Sequence, residues 1–337
     1  MRNARLLGAD AQPERKGGPA RLVWRARRHV AWVRAHGLGR VVEEDGLHPL
    51  QRAARALDRR RWRRANGVAP GAAVPVFLVG LQRSGTNMIV RGLERSPEFE
   101  VHNENDRRAF DRFRLRSDST VRGLIASSRH RYVLLKPLCD SHRVPDLLEL
   151  AGRPGTGRAI WAYRGVEGTA RSALAKFGDL RGVLAEIAAG GGRERWHAQR
   201  LSEASLDLLT SFDYREMTPA SSAALFWLIR NSLYFELGLE RRGDVMAVSY
   251  ESLLADPEST TRRLCEFLGL AYHPRFVAHM AVRGRPAGIA PDLDLDPEIL
   301  ARCRELERRL DEAAGSNRGR AGPPPGPIPR AAVADRR

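Results

Sequence analysis

A three-layer α/β fold, in which a parallel sheet is covered on both faces by helices, is predicted for this chain by three observations. Short apolar runs alternate with helical stretches from residue 75 to residue 269. The runs at 76–80, 132–135, 159–163 and 245–248 are almost continuously apolar, as strands buried on both faces are. Helical segments intervene between the runs, and strands joined through helical crossovers lie parallel.

The elements follow in order. The first run, 76–80, leads into a polar stretch and then a helix over 85–95, which Ser96-Pro97 ends. The second, 132–135, stops at Lys136-Pro137 and precedes a helical segment over 145–150. The third, 159–163, ends at Arg164 and precedes a helix over 168–177. Residues 178–217 are less regular, with a break at Gly190-Gly191-Gly192. Thr218-Pro219 opens a helix to about residue 237, a hydroxyl cap followed by a ring with the right φ. The fourth run, 245–248, precedes a helix over 257–268 that Gly269 stops. Gly80, Lys136, Arg164 and Tyr250 all fall at or just past strand ends. That is the edge at which open parallel sheets bind ligands.

Composition narrows the partners. Three cysteines (Cys139, Cys265, Cys303) are odd in number and widely spaced, which argues against a disulfide framework or a zinc site and suits a reducing compartment. No apolar run reaches membrane-spanning length, and the first residues lack the apolar core of a secretory signal; the expected location is cytoplasmic, with a possible peripheral membrane contact. The formal net charge is +17, of which residues 1–70 carry +11. The excess belongs mainly to an N-terminal arm, so nucleic acid is not an expected partner of the whole chain. Two basic helices are expected in the arm, over 21–33 and 48–64. Their arginines either stand in water or meet an anionic membrane surface. The domain reading is a basic, partly helical arm (1–70), an α/β domain (71–312) and a disordered tail (313–337) rich in Gly, Pro and Ala.

The polar stretch carries the chemistry. "VFLVGLQRSGTNMIV", residues 76–90, places Gly80 and Gly85 five apart after a strand and before a helix. The first N–H groups of a helix form a ready anion site. Arg83 adds a fixed planar charge, and Ser84, Thr86 and Asn87 add neutral donors. A nucleoside-triphosphate loop would carry Lys and then Ser or Thr where Thr86 and Asn87 stand. A P-loop kinase or NTPase, which needs both, is the alternative reading, and a non-enzymatic basic adaptor is a third.

These residues resemble the 5′-phosphosulfate loop of sulfotransferases that use 3′-phosphoadenosine-5′-phosphosulfate (PAPS). Two further stretches resemble the same family. "WAYRGVEGTARSALAKFG" has Arg164 and, eight residues on, Ser172, as in the family's 3′-phosphate element. Gly165-Val166 depart from its commonest form. "VMAVSYESLLADPESTTRRLCEFLGL", residues 245–270, is similar to the family's strand and helix, with Tyr250 at a position that contacts adenine in several members. The resemblance covers residues 76–270 and implies a P-loop-NTPase-like sheet, PAPS as sulfonate donor, and a hydroxyl or amine acceptor. It also implies transfer without a metal. The acceptor (sugar, lipid, tyrosine or small natural product) is left open. By the same resemblance Arg83, Ser84, Gly85, Thr86, Asn87, Arg164, Ser172 and Tyr250 bind the cofactor.

A general base is also expected. "LLKPLCD" has no histidine after Lys136, unlike the small-molecule branch of the family. The spacing from Arg83 through Pro97 is similar to the tyrosylprotein sulfotransferases and falls on Glu104, with His102 as the runner-up. Lys136 matches a family lysine that would bind the transferring group. Asp140 and His142 lie just beyond it, near the expected acceptor side. Residues 105–130, with Arg107, Arg108, Arg112, Arg114 and Arg116, and residues 178–217 are expected to shape that side. Two basic segments, with Arg283 and Arg285 or with Arg318 and Arg320, are candidates for a C-terminal phosphate contact.

Overall fold

The computed structural model describes residues 49–280 and 293–316. Helix α1 (Pro49–Asn66) leads to strand β1 (Val74–Gly80) and helix α2 (Thr86–Leu93). There follow β2 (Phe99–His102), a small antiparallel pair β3 (Phe110–Asp111) and β4 (Arg114–Leu115), helix α3 (Asp118–Ser127) and β5 (Tyr132–Leu135). A 3-10 turn (Leu138–Arg143) runs into α4 (Val144–Leu148). Next come β6 (Arg158–Tyr163), α5 (Val166–Phe177), α6 (Arg181–Ala188), α7 (Glu203–Thr210) and α8 (Pro219–Glu236). The chain closes through β7 (Val245–Ser249), α9 (Tyr250–Ala255), α10 (Pro257–Leu268) and α11 (Pro297–Ser316).

The main sheet has the order β2-β5-β1-β6-β7, and every pairing in it is parallel. Strand alternation sends side chains to two separate cores. Phe77, Val79, Leu135, Trp161 and Ala247 meet the layer that holds α8 and α11. Val76, Leu78, Leu134, Ile160 and Val248 meet α2 and α10. The three-layer reading therefore holds, and its continuous apolar runs reflect burial on both sides. Helix α8 begins where the cap signal placed it: Thr218 accepts a hydrogen bond from Ser221 N, and Pro219 occupies the first turn.

Several elements differ from the sequence reading. Strand β2 went unread because Glu100 and His102 lie in it; at the sheet's outer edge a strand need not be apolar. Helices α6 and α7 interrupt the stretch read as irregular; at eight residues each they span about two turns, too few for a helical period to declare itself. Helix α11 runs through Ser316, past residue 312, where the sequence placed the end of the domain. The helix expected over 21–33, the four arginines proposed for a C-terminal phosphate contact and the tail from residue 317 lie outside the described residues.

Helix α1 packs through a few of its side chains. Arg55 pairs with Glu94, Arg59 donates to the Glu94 carbonyl, and Trp62 stacks on His130. Arg60, Arg61, Arg63 and Arg64 stand exposed.

Candidate active site

The sheet order changes direction at β1. The chain moves from β1 outward to β2, returns to β5, and then crosses to β6 on the other side. Ligands in such sheets bind at the carboxyl ends of the strands beside this switch. The loop after β1 lies there.

Steric demands explain its two glycines. Gly80 has φ +117°, and a Cβ there would sit 2.1 Å from the Ala162 carbonyl oxygen. Gly85 has φ +80°, and a Cβ there would sit 2.3 Å from Cδ2 of Tyr250. The loop thus passes tightly over β6 and under the Tyr250 ring. Ser141 closes its base: its Oγ accepts from Gly80 N at 2.9 Å and lies 3.1 Å from the Gly80 carbonyl. Arg83 holds a left-handed backbone at φ +73°, an uncommon conformation for a residue with a side chain.

The expected cofactor residues gather into two contacts around this loop. Arg83 Nε donates to Ser172 Oγ at 2.7 Å, joining the loop to α5. The Arg164 guanidinium stacks over the Tyr250 ring, 4.4 Å from its centroid. The sequence grouped Arg164 with Ser172; the structure instead gives each a partner from a different element. Two groups left out of the sequence reading hold Arg164 in place. Trp227 Nε1, from α8, donates to its carbonyl at 2.8 Å, and Gly165 N donates to Glu251 at 3.1 Å. Neither had a signal in the sequence, because each depends on contact between distant elements.

The loop has the donors that a phosphate or sulfonate requires. The first amides of α2 have no intrahelical acceptor by construction. Ser84 is 1% exposed, and its Oγ has no hydrogen-bond partner among the described residues. The same holds for the buried Nε of Arg164. Orphaned donors beside a helix N-terminus and two arginines fit an anionic nucleotide.

A third contact lies at the end of β5. Lys136 Nζ donates to Asn87 Oδ1 at 2.8 Å and lies 3.3 Å from Glu104 Oε2. Asn87, the loop position that departs from the family pattern, therefore accepts from the lysine rather than donating. Burial pushes the Glu104 carboxyl above its usual range, against the pull of Lys136, and the nearby Asp140 adds to the rise. That is the environment of a proton acceptor. His102, two residues earlier, is fully buried and committed elsewhere. Its Nδ1 lies 2.8 Å from Asp106 and its Nε2 lies 3.4 Å from Glu100. The Ser128 hydroxyl, which donates to Glu100 at 2.8 Å, and the nearby His102 ring overcome the burial of Glu100 and hold that carboxyl at about 2. The ring serves the outer strand and not the loop.

Asp140 is also structural: its carboxylate takes Arg114 Nε at 2.7 Å and Leu115 N at 2.8 Å.

A family model described as the sulfotransferase family matches residues 194–274, which include Tyr250 but not the loop, Glu104 or Lys136. No curated protein matches the chain. Among solved structures, the chain is similar to sulfotransferase STF9 from Mycobacterium avium, at 15% identity over 72% of this chain and 77% of that one, with a TM-score of 0.42. It is similar to a sulfotransferase from Alicyclobacillus acidocaldarius, at 15% identity over 74% and 94% of the two chains, TM-score 0.36. A mouse sulfotransferase, SULT7A1, complexed with PAP, matches at 15% identity over 71% and 82%, TM-score 0.33. Fold and site define a P-loop-like α/β protein with an anion loop and a lysine–glutamate pair on one sheet edge. The family that residues 76–270 resemble and the family whose model matches residues 194–274 are the same, the sulfotransferases.

Proposed function

We propose that this chain is a PAPS-dependent sulfotransferase that moves a sulfonate onto a hydroxyl or amine of an acceptor. The observation that carries this reading is Lys136 Nζ, held between Asn87 of the anion loop and Glu104. A cation for the transferring group and a carboxylate for the acceptor proton thereby meet at one point beside the loop.

When bound, PAPS supplies the sulfonate, on a phosphate leaving group. The loop amides with Ser84, Thr86 and Arg83 would hold its 5′ side, and Arg164 with Ser172 its 3′-phosphate, with Tyr250 against the base. Lys136 places positive charge where negative charge accumulates, and fixed charge of this kind costs no reorganisation during reaction. Glu104 takes the proton of the acceptor as its nucleophile is committed; its raised pKa makes it a stronger base than an exposed glutamate. Asn87 keeps the Lys136 ammonium over the loop when Glu104 becomes neutral, so the cation does not follow the carboxylate. We place the protein in the cytoplasm, with α1 free to meet an anionic surface through its exposed arginines.

Calorimetry with 3′-phosphoadenosine-5′-phosphate (PAP), in metal-chelating buffer, tests the reading. Micromolar or tighter binding is expected. No detectable heat at millimolar PAP would overturn it.

A further inference from the structure

A cavity of about 570 Å³ is lined in part by His142 and Arg143 of the Leu138–Arg143 turn. That volume accommodates a small organic molecule. Its wall carries Arg114, Arg143, Arg193 and Arg200 against a single lining carboxylate, Asp146, with Leu201 and Leu206 as an apolar side. Three of the arginines have fixed partners. Arg114 meets Asp140 at 2.7 Å, Arg143 meets Asp118 at 2.7 Å, and Arg200 meets Asp146 at 2.8 Å. These bonds hold the guanidiniums in place and leave further N–H donors on each, since an arginine has five. Arg193 is exposed, and no carboxylate among the described residues pairs with it. Positive charge is therefore in excess in the cavity.

His142 completes the wall. It is 3% exposed, and its Nδ1 has no hydrogen-bond partner among the described residues. Burial, and then the charges of Arg230, Arg114, Arg143 and Arg200, hold the ring neutral, with its pKa pulled down to about 2. A neutral ring nitrogen left unpaired in a polar cavity is a group waiting for a partner. Arg200, whose Nη1 reaches the His142 carbonyl at 3.4 Å, adopts a left-handed backbone at φ +58°. His142 lies in the turn that follows Lys136, and Asp140, between them in sequence, both anchors Arg114 of the cavity wall and adds to the raising of Glu104.

We infer that this cavity is the acceptor's entry, and that it selects an acceptor bearing a negatively charged group, a carboxylate or a phosphate or sulfate ester. The inference rests on the sulfotransferase reading above and adds a substrate class to it. Arg193 and Arg200 would take the anion, and His142 Nδ1–H would donate to it once the ring adopts that tautomer. The apolar side would carry the rest of the molecule, and the acceptor nucleophile would point past Asp140 toward Glu104.

The test uses the full-length protein saturated with PAP, so that phosphates cannot enter the nucleotide loop. It is titrated with phenyl phosphate, inorganic phosphate and phenol. Phenyl phosphate is expected to bind at least about tenfold tighter than phenol, the scale of one charge-assisted hydrogen bond. Arg193→Gln and Arg200→Gln should each remove about that factor. Arg193 lies on an exposed loop, so its variant tests the idea even where Arg200→Gln melts early; Arg200→Lys should retain part of the binding. Equal binding of phenol and phenyl phosphate, or unchanged binding in Arg193→Gln, overturns the inference. Inorganic phosphate binding as tightly as phenyl phosphate shows a site for free anions instead, and equally overturns it. A second arm passes a cell extract over an anion exchanger before reaction and supplies labelled PAPS to each fraction separately. Labelled product is expected from the retained fraction, and labelled product from the flow-through alone overturns the inference. Failure of PAP to bind sinks the sulfotransferase reading and the inference with it, whereas PAP binding without arginine-dependent phenyl phosphate binding sinks the inference alone.

Discussion

The strand-to-helix loop after β1 and the arginine cavity each draw on the chain after β5, the loop through Lys136 and the cavity through His142 and Arg143, yet they are built in opposite ways. The loop is one continuous segment, shaped by two glycines whose Cβ atoms would collide with Ala162 and Tyr250. Its neighbouring charges meet partners of fixed geometry: Lys136 with Asn87 and Glu104, Arg83 with Ser172. The cavity collects side chains from β4, the Leu138–Arg143 turn, α4, α6, α7 and the segment between those last two helices, and it has more cations than carboxylates. The difference teaches where each kind of specificity resides. A shared donor can be bound by a loop with little freedom. An acceptor can be chosen by side chains on mobile connections, which change without disturbing the sheet.

The largest effect on this division is expected at Glu104. Glu104→Gln is expected to lower labelled-sulfate transfer about 10²- to 10⁴-fold, the usual contribution of a general base. PAP affinity by calorimetry should be unaffected. The working form of Glu104 is the carboxylate, and burial raises its pKa, so wild-type transfer should fall as pH drops through a value above 4.5. The variant should lack that acid limb. Transfer that survives the substitution at the wild-type rate and pH profile would remove Glu104 from the chemistry.

Arg164→Ala tests the donor side alone. It removes a buried-edge cation and unstacks Tyr250, and should weaken PAP binding by about 2–5 kcal/mol. Phenyl phosphate binding in the cavity should change little, which separates the two regions directly. Gly85→Ala tests whether the loop is as constrained as its sterics imply. An alanine at φ +80° against a ring pinned by Arg164 should cost about 1–3 kcal/mol of stability, read as a lower Tm. An unshifted Tm would mean that the loop tolerates rearrangement. The smallest effect is expected from Ser172→Ala. Loss of its bond to Arg83 should cost about 1 kcal/mol of PAP affinity, since the arginine can turn to the ligand or to water.

Much of the site could be read before the fold was known. Gly80, Gly85 and Arg83 follow one another on a strand-to-helix turn, and that local order carries its own chemistry. Lys136 and Tyr250 were placed at strand ends by apolar runs alone. His102 could not be separated from Glu104 by spacing. What sets the two apart in the structure is position: His102 lies on an outer strand that polar residues had hidden, with its Nδ1 at 2.8 Å from Asp106, whereas Glu104 lies 3.3 Å from Lys136. Asn87, the departure from the family pattern, had no account until the lysine 49 residues further on was found bonded to it.

Local features of the chain were determined by sequence alone: four apolar strands, the glycine turn, the Thr218-Pro219 cap, and the Gly269 stop. These depend on sterics and periodicity among near neighbours, which linear order contains. The sheet order β2-β5-β1-β6-β7 was decided only by the tertiary structure, and with it the meeting of Lys136 with Glu104, of Arg83 with Ser172 89 residues on, and of four arginines around His142. Crossovers bring together residues whose pairing has no local signature, because the free energy that joins them comes from burying both faces of a sheet and not from the residues themselves.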